Sequence, residues 1–122
     1  MTEREVLERL IGVPYRPLGR SLEQDGGLDC LGVVLEAYRL LGIRLSGDWL
    51  EMQEHFRPVD RYEARFPDVF CNRLHPFLIT GVGIRTSEGY LTSQPHTGVV
   101  LLRHEPLGVV GYLRYRRWNR SS

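Results

Sequence analysis

The chain reads as one α+β domain, with helices first and a small antiparallel sheet after them. Two observations carry this. Apolar residues recur at helical spacing through the first part of the chain, and near residue 66 the period changes to short β-branched or aromatic runs split by Gly, Pro and Ser. Length agrees: 122 residues, 42% hydrophobic and 25% charged, are enough for one core and too few for two.

Taken in order, Thr2 to Ile11 is the first predicted helix. Thr2 followed by Glu5 makes a capping-box pair, and Val6, Leu7, Leu10 and Ile11 form the apolar stripe. Gly12-Val13-Pro14-Tyr15 ends it. Arg16 to Gly27, with Pro17, Gly19, Gly26 and Gly27, reads as loop. The main helix follows, about Asp29 to Leu41. Asp29 can accept the free N–H groups of its first turn, Cys30, Val33, Val34, Ala37, Tyr38 and Leu41 share one face, and Gly42 stops it. Asp48 to Phe56 is a second amphipathic stretch, bounded by Pro58. Strands are predicted at Asp68–Leu74, Thr80–Thr86, Thr97–Leu102 and Gly108–Tyr115.

Composition excludes several function classes. A net charge of +1 argues against a dedicated polyanion binder, so no nucleic-acid partner is expected. All 16 basic residues are Arg, a feature of coding composition that selects no partner, and Arg114 to Arg120 is a solvated strand edge and tail. No apolar run approaches the ~18 residues of a membrane span. Met1 to Arg9 is a charged helical pattern with no apolar signal region, so synthesis in the cytoplasm without a secretory signal is expected. Cys30 and Cys71 have no metal-ligand spacing; they are expected to stay reduced, and no metal or cofactor is expected.

The chemistry centres on Cys30, where a glycine-rich loop turns into the main helix. A thiol in the first turn lies in the positive end of the helix dipole, which favours thiolate. A buried cysteine used as a small hydrophobe is the alternative. A nucleophile needs a base, and the chain has four histidines: His55, His75, His96 and His104. His96 is the best placed, because it opens the strand HTGVVLL and a rigid sheet can present its ring. His104, one tight hairpin further on, can then orient it by binding the other ring nitrogen.

The segment from Ile11 to Leu45 resembles the opening of the NlpC-type cysteine peptidases, bacterial and phage cell-wall hydrolases with a small papain-like fold. Gly12, Pro14 and Tyr15, then Asp29, Cys30, Gly32, Val33 and Val34, then Gly42 and Ile43 match its pattern. The later His-x-Gly-(Ile/Val)-x-Leu strand is matched by His96, Gly98, Val99 and Leu101, and a strand lead-in by Pro67-Asp68-Val69. The resemblance implies a single papain-like domain over residues 1–122. It implies Cys30 as nucleophile, His96 as general base and His104 as the orienting third residue. Tyr15 would polarise the scissile carbonyl or hold substrate, and Asp29 would reach the free amine of a peptide. The substrate implied is a peptidoglycan stem peptide, cleaved through a thioester after attack on a carbonyl held by backbone N–H groups.

Three departures from the pattern bear on this. Leu31 stands where the cell-wall enzymes commonly carry Ser, a feature that looks more like the phage tail-associated branch. The stretch within 71–95 is longer than the pattern, as an extra hairpin over the groove would be. The short spacing from His96 to His104 leaves Gln94 or Asn119 as substitutes for the third residue. The expected activity is therefore a cysteine endopeptidase or amidase acting on cell-wall peptide, delivered in a phage or prophage tail. The alternatives are a non-catalytic tail-assembly module on the same fold, in contact with tail proteins, and a thioester-forming acyltransferase or deamidase.

Overall fold

In the computed structural model, which describes residues 1–73 and 81–118, the predicted order of helices and strands is present. Helix α1 (Glu3–Leu10) starts at a complete capping box: Thr2 Oγ1 accepts the Glu5 N–H and the Glu5 carboxylate accepts the Thr2 N–H. A four-residue helix α2 (Leu22–Asp25) lies inside the stretch expected to be loop, capped by Ser21. Helix α3 (Cys30–Leu40) is the main helix and α4 (Trp49–Gln53), capped by Asp48, the short one.

Among the described residues, six strands form one antiparallel sheet: β1 (Phe56–Val59), β2 (Val69–Asn72), β3 (Gly81–Arg85), β4 (Tyr90–Gln94), β5 (Gly98–Leu102) and β6 (Val109–Tyr115), in the order β1-β6-β2-β3-β4-β5. Two were not expected. β1 contains Pro58, which reads as a boundary; at the sheet edge its missing N–H costs nothing. β4, with Thr92 and Ser93, falls between two of the predicted strands. Both hydroxyls are buried, donating to the carbonyls of Val82 and Leu28. The supposed insertion is thus, where described, the β3–β4 hairpin: two strands of the sheet itself.

Alternation sets the two faces. Val69, Cys71, Val82, Ile84, Leu91 and Val99 point inward, where α3 covers β3 and β4 with Val33, Val34, Ala37 and Tyr38. Val6, Leu7 and Leu10 close the other side of the helix. Phe70, Tyr90 and Tyr112 form a second cluster on the outer face, the rings of Phe70 and Tyr90 meeting edge to face at 5.7 Å.

One buried ion pair ties the sheet together. Arg114 on β6 donates from Nε and Nη2 to the two oxygens of Asp68, at 3.0 and 2.8 Å, and from Nη2 to the Glu63 carbonyl. Asp68 also accepts the Arg65 N–H. Beside it, the Tyr38 hydroxyl donates to the Pro67 carbonyl at 2.7 Å. The Pro67-Asp68-Val69 match is therefore a structural joint. No helix among the described residues is long and apolar enough to cross a membrane.

Candidate functional site

Cys30 is the first residue of α3, and the loop before it is built to hold it there. The Asp29 carboxylate caps the helix, its Oδ1 accepting the Gly32 N–H at 2.8 Å. The Asp29 N–H donates to the Gly19 carbonyl, and Leu28 is strapped to the Pro14–Arg16 segment by two backbone bonds. Gly32 is required by close approach: a Cβ there would lie 2.1 Å from the Gly19 carbonyl oxygen. These contacts place the half-buried thiol at the mouth of a groove of about 470 Å³.

One side of the groove is Tyr15, Asp29 and Cys30; the other is the sheet, with Phe70, Asn72, Gly81, Thr92, Ser93 and Gln94, and Pro95, Leu102 and Pro106 at its rim. The structure thus brings together three of the five residues expected from sequence. His96 and His104 are not among them.

His96 does not open a strand. It is the middle of the exposed Pro95-His96-Thr97 turn, and β5 begins only at Gly98, where the Val13 and Pro14 backbone lies against it. The hairpin expected between His96 and His104 is absent. All five residues of β5 separate them, about 16 Å of extended chain. His104 therefore cannot bond the His96 ring. It lies beside Glu88, Leu101 and Arg103 in a different depression. His55 lines a third, with Arg44 and Arg117. Among the described residues, no imidazole lines the Cys30 groove. His75 and Asn119 lie outside the described residues.

Asp29 has the capping role read from the sequence, and it also lines the groove. Its Oδ2 accepts the Arg20 guanidinium, so both oxygens are engaged inside the protein. Tyr15 remains available: its backbone bridges Leu28 and its side chain lines the groove.

The residue that sequence reading missed is Gly81. It opens β3 and lines the sheet side of the groove that Cys30 lines from the helix side. A Cβ at Gly81 would meet the Asn72 Oδ1 at 2.5 Å, so the Asn72 amide occupies that space. The signal was present. Gly81-Val82-Gly83-Ile84 fits the His-x-Gly-(Ile/Val) pattern with glycine in place of histidine. A pattern keyed on the histidine itself settles on His96 instead.

The two thiols should differ sharply. Burial pushes the Cys71 thiol up to about 11, leaving a thiolate fraction of about one in a thousand at pH 8. Its side chain also faces the core. Iodoacetamide should therefore label Cys30 in the folded protein and Cys71 only after denaturation, as mass spectrometry of tryptic peptides would read. Equal labelling of both in the folded protein would contradict the packing of β2.

No family model matches the sequence, and no curated protein does. Solved structures match over nearly the whole chain. An NlpC/P60 family protein from Bacillus cereus aligns with TM-score 0.76 at 19% identity, over 94% of this chain and 40% of that one. The P60 domain of an antigen from M. avium subspecies paratuberculosis aligns with TM-score 0.74 at 19% identity, over 95% and 93%. The peptidoglycan hydrolase RipB from Mycobacterium tuberculosis aligns with TM-score 0.70 at 20% identity, over 93% and 65%. The fold is thus the papain-like NlpC/P60 fold. This chain spans about two-fifths of the length of the Bacillus cereus protein, 40%.

Proposed function

We propose that this chain is a cell-wall peptide-recognition domain built on a hydrolase fold, and that its Cys30 groove holds the peptide without cleaving it. One observation carries the proposal: Gly81 lines the sheet side of the groove that Cys30 lines from the helix side, and no described residue of the groove is an imidazole. General-base activation of a thiol needs a base within hydrogen-bond reach, most often an imidazole. The groove keeps what binding needs. Tyr15, Thr92 and Gln94 offer hydrogen bonds to peptide groups, and Phe70 and Leu102 offer apolar contact. Solved structures with this fold include proteins described as peptidoglycan hydrolases, which supports peptidoglycan as the ligand. On this reading the domain is a targeting or assembly module, and a phage or prophage tail is the assembly it serves.

A second reading is a cysteine endopeptidase or amidase with Cys30 as nucleophile. It is favoured by the placement of Cys30 in the first turn of α3 at the groove mouth. It requires a base from outside the described groove walls.

Cosedimentation with purified peptidoglycan tests the proposal. Wild type and Cys30→Ala should both pellet, and Gln94→Trp, which fills the groove from an exposed position, should bind at least about tenfold more weakly. Unchanged binding by Gln94→Trp would remove the groove from the account.

A further inference from the structure

We infer that the Cys30 groove selects a peptide segment that carries no charge, taking an α-carboxamide in preference to an α-carboxylate. The inference rests on the reading just given and adds the chemical class of the ligand.

Charge is sparse among the described lining residues of the groove. Asn72, Thr92, Ser93 and Gln94 are neutral, and Phe70 and Leu102 are apolar. Asp29 is the one carboxylate among the described lining residues, and it is already matched. One oxygen caps α3 through the Gly32 N–H and the other takes the Arg20 guanidinium. Its side chain is only 15% exposed. Among the described lining residues the groove therefore offers no cation for a ligand carboxylate, and its one carboxylate is already paired with Arg20.

Solvation then decides. A carboxylate entering this groove gives up water and meets no opposite charge among the described lining residues, a cost that rises steeply with burial. A carboxamide gives up less, and its N–H₂ and C=O can both be satisfied. The Thr92 oxygen, whose proton goes to the Val82 carbonyl, keeps lone pairs to accept a ligand N–H. The Gln94 amide N–H₂ can donate to a ligand carbonyl. A lining of amides, hydroxyls and apolar side chains is complementary to an amidated peptide.

The test uses two probes that differ only in this group: N-acetyl-L-alanyl-D-isoglutamine with its side-chain carboxyl as the methylamide, and the same compound with a free α-carboxylate. Titration calorimetry of wild type should give at least about tenfold tighter binding of the carboxamide. Gln94→Arg places a cation at an exposed groove position, so it should raise carboxylate affinity and narrow or reverse the ratio. Equal or tighter binding of the carboxylate by wild type overturns the inference and leaves the binding reading in place. If neither probe nor peptidoglycan binds a protein with an intact circular-dichroism spectrum, the binding reading falls and the inference falls with it.

Discussion

Asp68→Ala should lower stability by about 3–5 kcal/mol, the range for breaking a buried ion pair from one side. The Asp68 and Arg114 side chains are 1% and 10% exposed, so the substitution strands a guanidinium inside the sheet with only the Glu63 carbonyl to face. It also removes the acceptor of the Arg65 N–H. The loss is a large part of the roughly 5–15 kcal/mol that holds an ordinary domain folded. Urea unfolding followed by circular dichroism would measure it. The double variant Asp68→Leu with Arg114→Met should recover much of the loss, because it removes both charges and their desolvation together. A loss below about 1 kcal/mol for Asp68→Ala is the range of a solvated surface pair. It would show that the β2–β6 joint does not depend on these charges.

Gly32→Ala should cost about 1–3 kcal/mol, although alanine is the better helix former by roughly 1 kcal/mol. The new Cβ would lie 2.1 Å from the Gly19 carbonyl oxygen and 3.2 Å from Leu28 Cδ2. Backbone must move, and the backbone concerned also holds Asp29 through its N–H. Cys30 sits in the same turn, so its alkylation rate should change along with stability. Gly111→Ala is the control: nothing lies within 4 Å of a Cβ there. If Gly32→Ala is as stable as wild type and Cys30 reacts at an unchanged rate, the loop does not grip the helix as described.

Much of the fold was legible in the chain, because its signals are local. The Thr2–Glu5 pair, the Asp29 and Asp48 caps and the spacing from Val33 to Tyr38 each act within one or two helical turns. What stayed hidden depends on distant partners. Thr92 and Ser93 read as strand residues only once the sheet supplies the Val82 and Leu28 carbonyls. Pro58 looks like a stop until β1 proves to be an edge. For Asp29 the capping role is local, and it was read. Its second partner, Arg20, comes from across the loop, and nothing in the local spacing shows it.

The site divides in the same way. Cys30 was legible because loop and helix meet there in sequence. Its opposite wall was not, since a strand's place in the sheet is set by pairing. His96 has the right neighbours in sequence and the wrong position, on a turn at the edge of the sheet. Gly81 has no side chain to draw attention and lines the sheet side of the groove.

The most direct test of the account is to incubate wild-type protein with purified peptidoglycan and count soluble peptide fragments by mass spectrometry, with Cys30→Ala alongside. The account predicts that wild type binds the sacculi and releases no more fragments than Cys30→Ala. Fragment release by wild type that disappears in Cys30→Ala would contradict it and establish the groove as a working thiol hydrolase site.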